Sequence, residues 1–97
     1  RVYVNNQPNI AANTINPTVT NTASQADASP LAGRKRILIQ NLSDKNIYLG
    51  FDNTVTALNG IKIPKEASFE TEWGENIGIW LIGQTGITSD VRILELA

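Results

Sequence analysis

Four glutamates, Glu66, Glu70, Glu72 and Glu75, crowd one short stretch of the chain, and carboxylate pairs are what glycoside hydrolysis requires. Glu70 and Glu72 would share one face of a strand, about 6.5–7 Å apart at the backbone, so spacing alone admits such a pair. No cleft is expected around them, and alternating exposed glutamates on a sheet's outer face serve solubility. That is the reading adopted. Arg34-Lys35-Arg36 is the only basic cluster. Nucleic-acid binding would call for more positive charge or for interleaved stacking aromatics. The cluster is read as solvated charge at the start of a strand, free to meet acidic groups on a partner. Asp44, Asp52, Asn53 and Asp90 could gather around Ca²⁺. They lack EF-hand spacing, and such residues are favoured in turns for their local hydrogen bonds. Trp73, Trp80 and Tyr48 could stack on sugar rings if they were exposed together, but strand aromatics more often serve a core or an interface. Asn41-Leu42-Ser43 matches a glycosylation acceptor, yet it closes an expected strand.

The missing residue types narrow the chemistry further. The 97 residues contain no Cys and no His. Thiol nucleophiles, thiolate metal sites, Ser-His-Asp and Cys-His machinery are therefore excluded within the chain, and zinc would have to be held by carboxylates alone. No catalytic, metal or cofactor site is expected, and the chain is read as a non-enzyme. A formal net charge of −1 gives no electrostatic case for nucleic acid or an anionic membrane as partner. No apolar run approaches the ~20 residues of a membrane-spanning helix.

The elements that would position these residues are strands. From Arg34 onward apolar runs and turn signals alternate at short spacing, which predicts strands at 35–42, 47–51, 54–56, 60–63, 67–73, 77–82 and 90–96. The runs at 36–42 and 47–51, joined by Ser43-Asp44-Lys45-Asn46, read as an antiparallel hairpin. Period-two alternation puts Ile37 and Ile39 on one face of their strand and Leu38 and Gln40 on the other; it points Phe69, Thr71 and Trp73 inward and Ser68, Glu70 and Glu72 to water. Along 77–82 and 90–96 apolar side chains fall on both faces. A sandwich of this size covers only ~60% of its unfolded surface, so either an N-terminal arm or another subunit is expected to cover the second apolar face.

Residues 1–33 differ in kind: no charged residue separates Arg1 from Asp27, and Asn and Thr recur throughout. An uncharged, β-branched, Pro-punctuated stretch suits an extended arm lying on a protein surface. The expected organisation is thus an arm at 1–33 and an all-β domain at 34–97, a small antiparallel β-sandwich of jelly-roll-like kind. Contacts with partners or other copies are expected at Val2, Tyr3, Val4, Ile10, Ile15, Val19 and Leu31 of the arm. On the domain they are expected at Trp80, Ile82, Leu94 and Leu96.

Residues 34–97 also carry an ordered set of landmarks. An Arg-led strand ends in Gln40-Asn41, Tyr48-Leu49-Gly50 follows, then Asn59-Gly60, and Val91-Arg92-Ile93-Leu94-Glu95 closes the chain. This pattern resembles small β-sandwich virion proteins of tailed bacteriophages, the capsid decoration and head-fibre proteins. The resemblance implies a structural virion component on the capsid surface, made in the host cytoplasm. It would attach as a cement protein or fibre anchor, with itself (as a trimer) and the major capsid protein as partners. The alternative it leaves open is a host-surface or carbohydrate-binding module of a phage.

Overall fold

The computed structural model describes residues 11–84 and 89–97, and among them every regular element is a strand. In chain order these are β1 (Ala12–Ile15), β2 (Thr18–Val19), β3 (Ser24–Gln25), β4 (Arg36–Asn41), β5 (Ile47–Gly50), β6 (Ile61–Ile63), β7 (Ser68–Glu72), β8 (Trp80–Gly83) and β9 (Ser89–Leu96). They form two sheets, one ordered β1-β9-β4-β7 with β2 also on β9, the other ordered β3-β8-β5-β6. All pairings are antiparallel. The first and last strands are neighbours and the chain passes repeatedly between sheets, the jelly-roll arrangement. The expected all-β sandwich is the fold.

Alternation explains the core. β4 turns Ile37 and Ile39 inward and β9 adds Val91 and Ile93; from the other sheet come Ile47, Leu49, Ile63 and Leu81. Phe69 and Trp73 pack against this cluster from the β7 side, as their register on the strand predicts.

Three expectations are corrected. The runs at 36–42 and 47–51 are not a hairpin, because β4 pairs with β7 and β9 while β5 pairs with β6 and β8. The chain instead turns a corner between sheets, and Asn41 plugs it. The Asn41 side-chain amide, fully buried, is shared among the carbonyls of Lys45 (2.8 Å), Ile63 (3.1 Å) and Pro64 (3.1 Å). Its Oδ1 accepts from the backbone N–H of Ser43 (3.1 Å) and its hydroxyl (2.7 Å). Asn41 is therefore a structural tie between the sheets and no glycosylation acceptor. The expected strand at 54–56 is a turn held by its own side chains.

The division at residue 33 does not separate an arm from a body over the described residues. β1 and β2 extend one sheet along β9, and β3 pairs with β8 of the other. Val19 is part of the core, with Ile15 and Ala26 packed against it. β1 and β3 find their partners far along the chain, a signal that local pattern does not carry. They line the sandwich edges, so the second apolar face is not covered by them.

Candidate interaction surface

The outer face of the five-stranded sheet is set by residues out of phase with the core. β4 turns out Arg36, Leu38 and Gln40; β9 turns out Arg92, Leu94 and Leu96; β7 turns out Ser68, Glu70 and Glu72. The registers align them in rungs. Leu38 lies between Leu94 and Glu70, Arg36 between Leu96 and Glu72, and Gln40 between Arg92 and Ser68. Leu38, Leu94 and Leu96 are half-buried and form an apolar centre with a charged rim. A hollow of about 450 Å³ opens beside them, lined by Leu38, Leu94, Thr14 and Arg92 among others. Arg36 and Glu70 form an ion pair across β4 and β7, at 45% and 48% side-chain exposure. Glu70 is thus engaged in a rim contact on an open sheet face, with Glu72 two residues along the same strand beside Arg36.

The opposite outer face, on the four-stranded sheet, carries Tyr48 from β5 and Trp80 and Ile82 from β8, all half-buried. Trp73 is not with them. It packs against the core and its indole N–H donates to the Gly78 carbonyl (3.1 Å). The three aromatics therefore do not form one platform for sugar rings.

Beside that face, residues 51–60 form a loop fastened by its own polar side chains. Asp52 Oδ1 accepts from the Thr54 N–H (2.9 Å) and hydroxyl (2.5 Å), and Asn59 Oδ1 accepts from the Thr56 N–H (2.7 Å). Thr56 Oγ1 accepts from the N–H groups of Leu58 (3.1 Å) and Asn59 (3.3 Å), while Asn59 Nδ2 donates to the Thr54 carbonyl (3.1 Å). These bonds also hold the Asp52 carboxyl below its usual range, Thr54 supplying the hydroxyl and N–H responsible. Val55 is buried beneath the loop against Gly50, where any Cβ would overlap Val55. The tip of this fixed loop presents Leu58 at 98% exposure, with Phe51 at 66% at its base. Asp52 thus serves a turn, as its sequence context suggests.

Beneath the surface lies a charge cluster that the sequence reading missed. Arg34, treated as solvated, has a side chain with no exposure at all. Its Nε donates to the Trp73 carbonyl (3.1 Å), and its Nη2 donates to those of Gly74 (2.8 Å) and Ile77 (2.6 Å). Its Nη1 bonds Asp27 (3.3 Å) and Glu95 (2.8 Å), so all five guanidinium donors are used. Glu95 also accepts from Asn13 Nδ2 (3.0 Å) and the Leu31 N–H (3.1 Å). The cluster joins β1, the 27–34 segment, β9 and the 73–78 turn. It also explains why β8 starts at Trp80 and not at Ile77, since the Ile77 carbonyl is turned to Arg34.

Burial pushes the Asp27 carboxyl up to about 6, helped by the carboxylate of Glu95 beside it. Burial also acts to raise Glu95, but hydrogen bonds from Asp27, Asn13, the Leu31 N–H and Arg34 outweigh it and hold Glu95 well below its usual range. One signal in the sequence pointed here: Glu95 falls on the inward register of β9 with Val91 and Ile93, and a buried carboxylate calls for a cation.

The expected contact residues now separate. Val2, Tyr3, Val4 and Ile10 lie outside the described residues. Val19 is a core residue of its own chain and offers no surface, and Ile15 packs on that core while also lining the hollow. Leu31 is half-buried, with its N–H bonded to Glu95 in the ion cluster. Trp80 and Ile82 stand on one outer face, Leu94 and Leu96 on the other. Sequence reasoning did not single out Leu38, Phe51 or Leu58.

No family model matches the chain, and no curated protein matches it. Among solved structures it is similar to a protein of the Bacillus endospore appendages, which form a family of disulfide-linked pili. The identity is 15% and the TM-score 0.52, over 99% of this chain and 93% of that one. At that identity the likeness bears on the fold, a small β-sandwich traced along nearly the whole chain. It is a likeness to an appendage protein and not to a phage decoration protein, and the disulfides of those pili have no counterpart in a chain without Cys.

Proposed function

We propose that this protein is a non-enzymatic structural component that works by self-association and attachment to a larger assembly. The assembly is the capsid surface of a tailed phage, where the chain acts as a decoration protein or fibre anchor. One observation carries the reading: a loop rigidified by its own hydrogen bonds holds Leu58 fully in water at its tip, with Phe51 also exposed at its base. Ordering a loop costs conformational entropy, and exposing a large apolar side chain on it gains nothing in an isolated molecule. A contact surface gives that arrangement a purpose. The landmarks of residues 34–97 support the phage assignment, and the sandwich fold suits a structural part. The carbohydrate-binding alternative loses support because Trp73 faces the core. The fold gives no reason for three copies, the number expected from the resemblance.

The test is co-sedimentation of the purified chain with phage capsids stripped of accessory proteins. The wild type is expected to pellet with the capsids, and Leu58→Ser to lose most of that binding while melting at the wild-type temperature. Equal binding by the variant, or no binding by the wild type, would refute the proposal.

A further inference from the structure

We propose that two copies of this chain meet through the outer faces of their five-stranded sheets. The two-fold axis passes over Leu38 and sets Arg92 of each copy against Glu72 of the other. The inference rests on the self-association proposed above and specifies where it occurs.

The strand registers place the charges symmetrically about Leu38. On this face β4 lies between β9 and β7. Arg92 pairs with Gln40, two residues beyond Leu38, and Glu72 pairs with Arg36, two residues before it. Arg92 and Glu72 thus occupy opposite corners around Leu38. With strands about 4.8 Å apart and two residues spanning about 6.8 Å, each corner lies roughly 8 Å from Leu38. A two-fold axis lying in the face, through Leu38 and perpendicular to the line joining the corners, exchanges them. Leu38 then packs on Leu38 of the second copy, and both corner pairs form at once. The strands of the two copies cross at roughly 70°, within the orthogonal class of sheet packing.

The charges favour a second copy over other occupants. Arg36 and Glu70 are already paired within the chain. Arg92 and Glu72 have no ion-pair partner among the described residues, and they are of opposite sign. A polyanion would meet Glu70 and Glu72, and a polycation would meet Arg36 and Arg92. A second copy meets its own complement, as an isologous contact requires. The apolar centre of Leu38, Leu94 and Leu96 inside a polar rim matches the anatomy of such an interface.

Charge reversal tests this on the full 97-residue chain by sedimentation equilibrium. E72R alone and R92E alone are each expected to weaken self-association by about tenfold or more, because each places like charges together at both corners. An equimolar mixture of the two variants is expected to recover wild-type affinity to within about threefold, since every corner in the mixed pair again joins opposite charges. Circular dichroism checks that both variants are folded, and both substitutions lie at exposed positions. If the folded variants associate as the wild type does, this face is wrong while self-association stands. Variants that weaken singly but fail to recover on mixing overturn the Arg92–Glu72 pairing. A wild-type chain that stays at 10.6 kDa up to about 1 mM overturns both this inference and the self-association beneath it.

Discussion

Arg34 and Arg36 stand two residues apart in one basic run, yet the fold uses them in opposite ways. Arg34 lies inside, with its five donors spent on three carbonyls and two carboxylates. Arg36 lies on the open sheet face and makes one ion pair with Glu70. A buried guanidinium is tolerable only when each donor has a partner, and once that condition is met its removal strands the partners. An exposed pair exchanges one set of water contacts for another and contributes little. The same side chain therefore holds the architecture together at one position and decorates a surface at the next.

Removing Arg34 is the sharpest way to break this contrast. Arg34→Ala is predicted to cost about 3–5 kcal/mol, the usual loss when one partner of a buried ion cluster is deleted. Urea denaturation measures it, and for so small a domain the variant is expected to be largely unfolded. A loss below about 1 kcal/mol would mean that the cluster is not buried as described.

The cluster also predicts a pH profile. Asp27 titrates higher in the folded chain, at about 6, than its ordinary 3.8. The folded state therefore binds its proton more tightly, and stability falls as pH rises from about 4 to about 6, by on the order of 2–3 kcal/mol. Glu95 titrates lower than its ordinary 4.5, so its contribution is lost as pH falls below that value. Thermal melts should give a stability maximum in the region of pH 4–5. Asp27→Asn should abolish the decline above the maximum and keep the acid limb. An unchanged decline in that variant would assign it to another group.

The smallest effect is expected on the surface. Arg36→Ala or Glu70→Ala should change stability by less than about 1 kcal/mol, and less still in high salt. A larger loss measured by the same denaturation would erase the distinction between the two arginines.

How much of this could be read beforehand follows from the range of the interactions. Which residues share a face of β4, β7 and β9 is legible because alternation is local: Ile37 and Ile39 fall on one side together, as do Val91 and Ile93, and Phe69 packs inward as expected. The outward leucines Leu94 and Leu96 were legible for the same reason. β1 and β3 were not, since Asn13 and Ser24 have no strand pattern until Glu95 and Leu81 stand opposite them. The loop at 54–56 has β-branched residues that suggest a strand, but Asp52 and Asn59 capture its backbone first. The burial of Arg34 is not legible locally, because Glu95 stands 61 residues away and Asp27, seven residues before it, lies on an irregular segment with no pattern to mark it as a partner. Only Glu95, polar on an inward row, hinted that a cation would be drawn inside.

Self-association underlies every role proposed for this chain, and its mass in solution is the most direct measure of it. Sedimentation equilibrium of the wild type across a wide concentration range should give a mass that rises from 10.6 kDa towards a multiple of it. A folded chain that holds at 10.6 kDa throughout would contradict the account.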